Sequence, residues 1–363
     1  MSIRIKPIGT VLKGYMVANN VSQRKLCELT GYQEKQVSLI LNNKATVTPK
    51  FAKAFSNAVP GVSEDFVLDY YFAYKQQCES DKDFLEKNNY KENAKKYCFN
   101  KVFKKIDSDP VSQVKRVNEA FEIENLNKLD IRISNDKLFN EVSFSKDASK
   151  SNNNDNEVVT IWTKIAMKQI MIGEEKRDFV GVKEAKRILE ENKELLNVTD
   201  SSDLIVNIKY ICKECGIHVG FSKSAPTTYI RGLSFSLGGQ LFIILTDRFK
   251  RVEYVVFAFV HEIEHILNGD ITIEKECIRY EDDRKEQEEK ADTNARDFLI
   301  NPDYYTLIND INSPKLLDIH CVAKKARCSI GIVITMIHYD TKNYQQYWQY
   351  LNPFRIDIDM FGN

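Results

Sequence analysis

The sequence predicts a multidomain protein with an all-α helix-turn-helix domain at its N-terminus, a helical middle region, and an α+β domain built around a helix with the motif HExxH and a small mixed sheet. Three observations support this prediction. The 363 residues suffice for two or three domains of roughly 150 residues. The first 60 residues form a basic segment with short helical patterns. The second half mixes helical and strand-like patterns around the pentapeptide HEIEH.

Charge separates the N-terminal segment from the rest of the chain. Basic and acidic residues both number 52 in the whole sequence, so the formal net charge is zero. Residues 1–60 hold nine basic and two acidic residues, a net charge of +7. Such an excess on a small domain is typical of nucleic-acid binding because it attracts phosphates. A solvated basic face is the alternative that charge alone leaves open.

The apolar pattern of this basic segment predicts four short helices. Apolar residues recur at helical spacing from Ile8 to Met16. Ser22 is a typical N-cap for a second helix, Gly31 permits a tight turn into a third, and Thr48 before a proline opens a fourth. Two short helices joined by a glycine turn in a small basic domain are typical of the helix-turn-helix.

We therefore expect residues 1–75 to bind double-stranded DNA. The third helix should enter the major groove and read bases, while flanking residues should contact phosphates. The candidate base contacts are Gln33, Lys35, Gln36 and Ser38, and the candidate phosphate contacts are Gln23 and Lys44.

The region 76–156 is predicted to be helical, and its residues suggest no particular chemistry. Just before it lies an aromatic stripe, which predicts either a helix packed onto the first domain or a contact between subunits, and we expect a homodimer. The stripe consists of Phe66, Tyr70, Tyr71, Phe72 and Tyr74. The stretch Ser145–Asn156 has Ala148 as its one apolar residue, which predicts a flexible linker or long loop.

Residues 157–310 are predicted to form the α+β domain, and residues 311–363 a C-terminal helical extension. The predicted helices are Lys183–Leu196 and Ser202–Cys215, and the predicted strands are Ile217–Phe221, Gly232–Ser236 and Gln240–Thr246. Gly238-Gly239 between the last two strands is a typical hairpin turn. We expect the edge of Gln240–Thr246 to hold a substrate segment as an added strand.

The motif HEIEH predicts a metal site. His261 and His265 are four residues apart, so on a helix both imidazoles lie on one face and can bind one metal ion. Glu262 lies at the rim of that site, where it can take a proton from a metal-bound water. Because the chain has only 5 histidines, a chance match is a poor explanation. A site that has kept its shape but lost turnover is the stronger alternative.

A catalytic zinc needs a third protein ligand and an open position for water. No histidine follows closely, so we expect a carboxylate. Ala291 and Ala295 mark the packed face of a predicted helix, and Glu288 and Asp292 share that side. We expect Glu288 to bind Zn²⁺ and Asp292 to orient a ligand histidine. The alternative ligands are Glu289, Asp292 itself and Glu281. A solvated acidic helix face is the alternative to any metal role.

Two parts of the sequence resemble known families. PIGTVLKGYMVANNVSQRKLCELTGYQEKQVSLILNNKATVTPKFAKAF resembles the XRE-type helix-turn-helix of the HigA antitoxin kind. GIHVGF, RGLSFS, LFIILTDRFK, HEIEH and the pattern ExxADxxA ahead of FLINP are similar to the ImmA/IrrE metallopeptidase family. The likeness covers residues 5–70 and about 157–340. Gln33 stands where such helix-turn-helix units often have a small capping residue, and Asn294 where that peptidase family usually has an aromatic.

The resemblance implies a gluzincin-like zinc site and a regulatory protein substrate, often a repressor, or a toxin–antitoxin context. Two functions fit this sequence. One is a DNA-binding transcriptional regulator with a zinc endopeptidase domain. The other is a HigA-like antitoxin or repressor whose second domain is a catalytically silent sensor or partner-binding module. The sequence has no secretory leader and no apolar run of the 18 or so residues that a membrane helix needs, so we expect a cytoplasmic protein without a membrane partner.

Overall fold

A computed structural model describes residues 4–104, 106–135, 154–171, 175–224, 230–274, 277–278 and 285–355. The chain divides into two compact units, Met1–Asn88 and Asn89–Asn363. It is mostly helical and has one small mixed sheet, which agrees with a multidomain α+β protein. The helices of the first unit are α1 (Ile8–Ala18), α2 (Gln23–Thr30), α3 (Glu34–Leu41), α4 (Pro49–Ala58) and α5 (Glu64–Lys87).

The caps that the sequence predicts for the first unit are present. The hydroxyl of Ser22 accepts a hydrogen bond from the Lys25 amide, and that of Thr48 accepts one from the Phe51 amide. Gly31 ends α2 with a φ of 73°, a left-handed conformation that favours glycine. Helix α3 begins directly after Gln33 without a side-chain cap. The core between these helices is fully apolar and includes Leu12, Leu26, Val37, Phe51 and Phe55.

The aromatic stripe packs within the first unit. The ring of Phe66 meets that of Tyr15 edge to face at 5.8 Å, and the Tyr70 hydroxyl donates to the Lys6 carbonyl at 3.1 Å. Helix α5 carries these residues and continues unbroken to Lys87. The first compact unit therefore ends at residue 88 and not at the predicted boundary of residue 75, because the helix runs through that position.

The second unit contains the remaining elements. Its helices are α6 (Tyr90–Lys96), α7 (Phe99–Val102), α8 (Pro110–Phe121), α9 (Leu129–Asn135), α10 (Asn154–Met171), α11 (Val182–Glu191), α12 (Ser201–Cys215), α13 (Val252–Leu267), α14 (Lys285–Leu299), α15 (Pro302–Tyr305), α16 (Leu316–Ala326) and α17 (Ile330–Thr341). Its strands are β1 (Ile217–Ser222), β2 (Gly232–Leu237), β3 (Gln240–Thr246) and β4 (Cys277–Ile278).

The last three residues of the predicted linker Ser145–Asn156 belong to a helix. Helix α10 begins at Asn154, so residues 154–156 are helical, while residues 145–153 lie outside the described residues. The helix is anchored on the sheet, since the indole of Trp162 donates to the Lys223 carbonyl at 2.9 Å. A Cβ added to Gly220 of β1 would come within 2.2 Å of the Ile170 side chain, so glycine allows this close approach.

The sheet has the strand order β1-β3-β2-β4. Strand β3 pairs with β1 in parallel and with β2 in antiparallel orientation. Gly238 and Gly239 form the predicted hairpin turn, both with positive φ. The expectation that β3 offers a free edge is wrong, because β1 occupies its other side. Strand β2 lies on the other side of β3, and β4 pairs with β2 at Phe235 and Ser236.

Helix α13 packs against β2, β3, α14 and α17, which places the HEIEH motif at the centre of the second unit. Its first turn is tied to the end of the described chain: Glu253 is buried and accepts hydrogen bonds from the backbone and side-chain amides of Asn352. The Val252 amide donates to the Asn352 carbonyl. In the part of the chain that the structure describes, no helix combines the length and apolar character needed to cross a bilayer.

Candidate functional site

Three possible metal ligands meet between α13 and α14. The Nε2 atoms of His261 and His265 are 3.2 Å apart. One carboxylate oxygen of Glu288 lies 3.1 Å from Nε2 of His261, and the other lies 3.2 Å from Nε2 of His265. Both histidines are buried, and Glu288 is half-buried. Among the described residues this is the one group of three or more His, Cys, Asp or Glu side chains whose ligand atoms converge in this way.

Local sequence explains why these side chains meet. Helix α13 is buried nearly all round, its first three turns are mostly apolar, and it holds both imidazoles on one face, one turn apart. Ala291 and Ala295 of α14 are fully buried, and their small side chains let α14 approach α13 closely. Glu288 lies one turn before Ala291 and therefore faces the histidine pair.

The donor set fits a tetrahedral zinc ion. Ligands at about 2.0–2.1 Å from a tetrahedral centre lie roughly 3.3 Å from one another, close to the 3.2 Å between the two Nε2 atoms, and each Nε2 lies 3.1 or 3.2 Å from a different oxygen of the Glu288 carboxylate. The Nδ1 atom of His265 lies 2.9 Å from Oδ2 of Asp270. A proton on Nδ1 can be donated to that carboxylate, which leaves the Nε2 lone pair for a metal.

His261 has an equivalent partner in Asp292. Its Nδ1 lies 2.9 Å from Oδ1 of Asp292, at an angle outside that of a regular hydrogen bond. The carboxylate predicted to orient a histidine is therefore in contact with His261, a candidate ligand. Tyr339 of α17 donates its hydroxyl to the other Asp292 oxygen at 2.9 Å and holds the carboxylate from behind.

Without a metal, this cluster is a network of coupled charges. Burial lowers the pKa of His261, but Asp292 and Glu288 outweigh it and raise that pKa to about 10. Burial also lowers the pKa of His265, and Glu288 leads the groups that raise it above its ordinary value. Burial raises the pKa of Glu288, yet the two histidines bring it down to about 2. At neutral pH the Glu288 carboxylate is therefore ionised, and it stabilises a positive charge beside it, whether a proton on an imidazole or a metal ion.

Glu262 lies beside the cluster, with its side chain packed against β2. Its side chain is buried, and Ser234 of β2 donates a hydrogen bond to it at 2.7 Å. Burial raises the pKa of Glu262, which the two neighbouring histidines partly counter. A Cβ on Gly232 would come within 2.5 Å of the Glu262 side chain. A glycine at this point of β2 therefore leaves room for the carboxylate.

The alternative third ligands are placed differently. The Glu289 side chain is exposed on α14, and Asp292 faces Nδ1 and not Nε2 of its histidine. Glu281 lies outside the described residues. Asn294 is also informative, because its amide donates to Glu264 at 3.0 Å and to Asn268 at 3.1 Å. It joins α14 to α13 through hydrogen bonds instead of an aromatic contact.

Three contributors to the site were not predicted from the sequence. Asp270 lies five residues after His265, so its closeness in the sequence could have indicated a contact with that histidine. Ser234 and Tyr339 are 28 and 47 residues from their partners in the chain, and their residue types alone suggest no role.

The candidate DNA contacts lie on the surface of the first unit. Gln33, Lys35, Gln36 and Lys44 are exposed, and Gln23 and Ser38 are half-buried. On α3 the buried side is formed by Val37, Ile40 and Leu41, so the polar side chains face outward.

No family model, curated protein or solved structure matches the chain. The observations that support a function are therefore the contacts of its own residues. The strongest of them is the convergence of His261, His265 and Glu288 next to a buried glutamate.

Proposed function

We propose that this protein is a DNA-binding transcriptional regulator with a zinc-dependent endopeptidase domain of the ImmA/IrrE kind, with a gluzincin-like site. The observation that carries the proposal is the meeting of two imidazole Nε2 atoms and one carboxylate within 3.2 Å of one another, with Glu262 buried alongside. Burying several titratable side chains together destabilises the fold, and such groups cluster at functional sites, which favours a role in chemistry over a purely structural one.

His261, His265 and Glu288 would hold the ion. When bound, zinc supplies a Lewis acid that polarises a peptide carbonyl and makes water more acidic. Asp270 and Asp292 keep the two imidazoles turned toward the ion by accepting from, or lying beside, their Nδ1 atoms. Two histidines, one carboxylate and one position for water form the ligand set of known zinc peptidases.

Glu262 acts as the general base. Its carboxylate takes a proton from the attacking water and then delivers it to the leaving amine. Burial raises its pKa, which brings the group closer to the neutral range in which a base works best. Ser234 holds one carboxylate oxygen, so the base stays in place during both transfers.

The first unit supplies the DNA-binding function. Helices α2 and α3 pack on each other and join through the Gly31 turn, and the outer side of α3 presents polar and basic side chains. The net charge of +7 in residues 1–60 supports phosphate contacts. The resemblance to HigA-type regulators adds weight to this assignment. The expected substrate is a regulatory protein such as a repressor or a toxin–antitoxin partner.

The deciding experiment compares wild type with Glu262→Gln in cells. The variant keeps the size of the side chain and the possibility of a bond from Ser234 but removes the base. We expect both proteins to bind zinc and DNA alike. Cleavage of the target should fall by roughly 10²–10⁴-fold in the variant. When protein termini are mapped in stressed cells, the termini that this cleavage creates in wild type should therefore be missing in the variant. Identical termini in both strains would contradict the peptidase proposal and favour the alternative, in which the second domain is a catalytically silent partner-binding module.

A further inference from the structure

Two segments that are far apart in the chain meet on the surface of the second unit. They are residues 248–251, which precede α13, and residues 342–355, which follow α17. The Phe354 amide donates to the Lys250 carbonyl at 2.8 Å, and the guanidinium of Arg251 donates to the Leu351 carbonyl at 3.0 Å. The side chains of the two segments therefore belong to one surface, which we call the aromatic strip.

The exposed hydrophobic groups of the aromatic strip are all rings. Among the described residues of the two segments, no large aliphatic side chain is exposed. The guanidinium of Arg251 lies over the ring of Trp348 at 5.4 Å, so a cation is already stacked on one of these rings. A surface of this kind favours a partner that has planar faces of its own. The exposed rings are those of Phe249, Tyr344, Trp348 and Tyr350.

The charge of the aromatic strip is entirely positive. Residues 248–251 and 342–355 contain five basic and no acidic residues. Asp247 and Glu253, the acidic residues that flank the first segment, are buried. In the part of the chain that the structure describes, Lys250, Arg251 and Lys342 form no ion pair with a carboxylate. Their charge is therefore available to an anionic partner. The basic residues are Arg248, Lys250, Arg251, Lys342 and Arg355.

Contacts beneath the aromatic strip hold it in place. The Tyr347 hydroxyl donates to the Pro314 carbonyl at 2.7 Å. The ring of Phe249 packs on that of Tyr254 at 4.8 Å, and the Tyr254 hydroxyl lies 3.1 Å from Nδ1 of the buried His338. Side chains that are fixed before binding lose little conformational freedom when a partner arrives. The strip is thus prepared for binding in the free protein.

We propose that the aromatic strip binds an unpaired nucleic-acid strand. Single-strand binding surfaces combine basic side chains, which attract the phosphates, with aromatic rings on which the bases stack. The bases of a duplex are already stacked on one another, so they cannot stack on these rings. A membrane surface is less suitable, because peripheral membrane binding uses aliphatic chains as well as rings. This second nucleic-acid site depends neither on zinc nor on the helix-turn-helix of the first unit.

Tryptophan fluorescence provides a local test on the full chain. The protein has only 2 tryptophans, of which Trp162 is 1% exposed and Trp348 is 53% exposed. A base stacked on Trp348 should quench its emission. The probes are oligo(dT) and oligo(U) of about 12 nucleotides, a length within the range of single-strand sites. Both should quench alike, because stacking and phosphate contacts do not use the 2′-hydroxyl. A duplex of equal length should leave the emission unchanged.

Variants identify the rings and the charge. Anisotropy of labelled oligo(dT) should show about tenfold weaker binding for Trp348→Ala and for Phe249→Ala, as for the loss of one stacked base. Trp348→Phe keeps a ring, so it should lose the quenching and retain most of the affinity. Lys250→Ala should lower the salt dependence by about 0.7, the value for one phosphate contact with a single strand.

Matched controls come from α12. Tyr210→Ala and Lys209→Ala replace an exposed ring and an exposed cation outside the aromatic strip, and neither should alter oligo(dT) binding. All variants should keep the thermal unfolding temperature of wild type within a few degrees, because the replaced side chains are on the surface. Glu262→Gln should bind oligo(dT) like wild type, so this test is separate from that of the peptidase.

The possible results divide clearly. Quenching by oligo(dT) that Trp348→Phe abolishes, with affinity reduced by Trp348→Ala and Phe249→Ala, supports the site. Binding that Lys44→Ala reduces, but that both ring variants leave unchanged, would assign the strand to the first unit and overturn the inference. A response of Trp348 to vesicles of anionic lipid and not to either oligonucleotide would overturn it in favour of a membrane surface.

Discussion

Tyr339 and Asp292 form a hydrogen bond of 2.9 Å that joins α17 to the candidate metal ligands, because Asp292 also lies 2.9 Å from Nδ1 of His261. The tyrosine thus acts on the site through the carboxylate. Its loss should let Asp292 turn away from the imidazole.

Tyr339→Phe should weaken zinc binding by about tenfold, the lower end of the roughly 10–100-fold range for residues that orient metal ligands. Competition with a chelating dye measures the affinity. Tyr304→Phe, on the exposed surface, serves as the control. Unchanged affinity in Tyr339→Phe would show that Asp292 is held by other contacts.

Glu288→Ala should lose zinc far more readily than Glu289→Ala, although the two residues are adjacent on α14. The Glu288 oxygens lie 3.1 and 3.2 Å from the two imidazole Nε2 atoms, whereas the Glu289 side chain is exposed. Metal analysis after dialysis against a chelator gives the answer directly. Equal retention in both variants would contradict the assignment and make Asp292 the next ligand to test.

Zinc binding should release a proton and weaken as the pH falls. In the metal-free site Asp292 and Glu288 overcome the effect of burial and raise the pKa of His261 to about 10, so at neutral pH this histidine carries a proton that the ion must displace. Below that pKa the affinity should drop by about tenfold for each pH unit per proton displaced. Calorimetry in buffers of different ionisation enthalpy counts the protons. An affinity independent of pH between about 6 and 9 would contradict the prediction.

Gly232→Ala should disable the base while leaving the ligands in place. The new Cβ would approach the Glu262 side chain to 2.5 Å and force it away from Ser234. Proteolytic activity should therefore fall, with zinc content near that of wild type. Gly14→Ala, where the added Cβ meets no atom within 4 Å, is the matched control. Full activity in Gly232→Ala would argue against Glu262 as the base.

Replacement of Gln36 and of Lys44 should affect DNA binding in different ways. Gln36→Ala, on the exposed side of α3, should relax sequence preference by about 1–3 kcal/mol at one base pair. Lys44→Ala should weaken binding to every sequence and lower the salt dependence by about one unit. The control is Lys82→Ala, an exposed lysine of α5 paired with Glu86. Failure of the full chain to bind DNA at low salt would contradict the assignment of the first unit.

Local patterns in the sequence were sufficient for some features and not for others. The spacing of His261 and His265, the caps at Ser22 and Thr48 and the hairpin at Gly238 depend on neighbours within a few residues, so they could be predicted. The position of β3 in the sheet could not, because its parallel pairing with β1 joins strands that have β2 between them in the chain. The end of the first unit at residue 88 was missed because α5 is exposed on most of its surface and lacks a strong apolar period.

The attachment of Asn352 to Glu253 bears on the order in which the protein matures. Glu253 begins the helix that carries HEIEH, and its buried carboxylate obtains its amide donors from a residue 99 positions later. Until residue 352 has been synthesised, that carboxylate has no such donors, and burying it would leave it without hydrogen bonds. We therefore expect the first turn of α13 to reach its final packing only after the chain has been made as far as Asn352 and has folded back onto it.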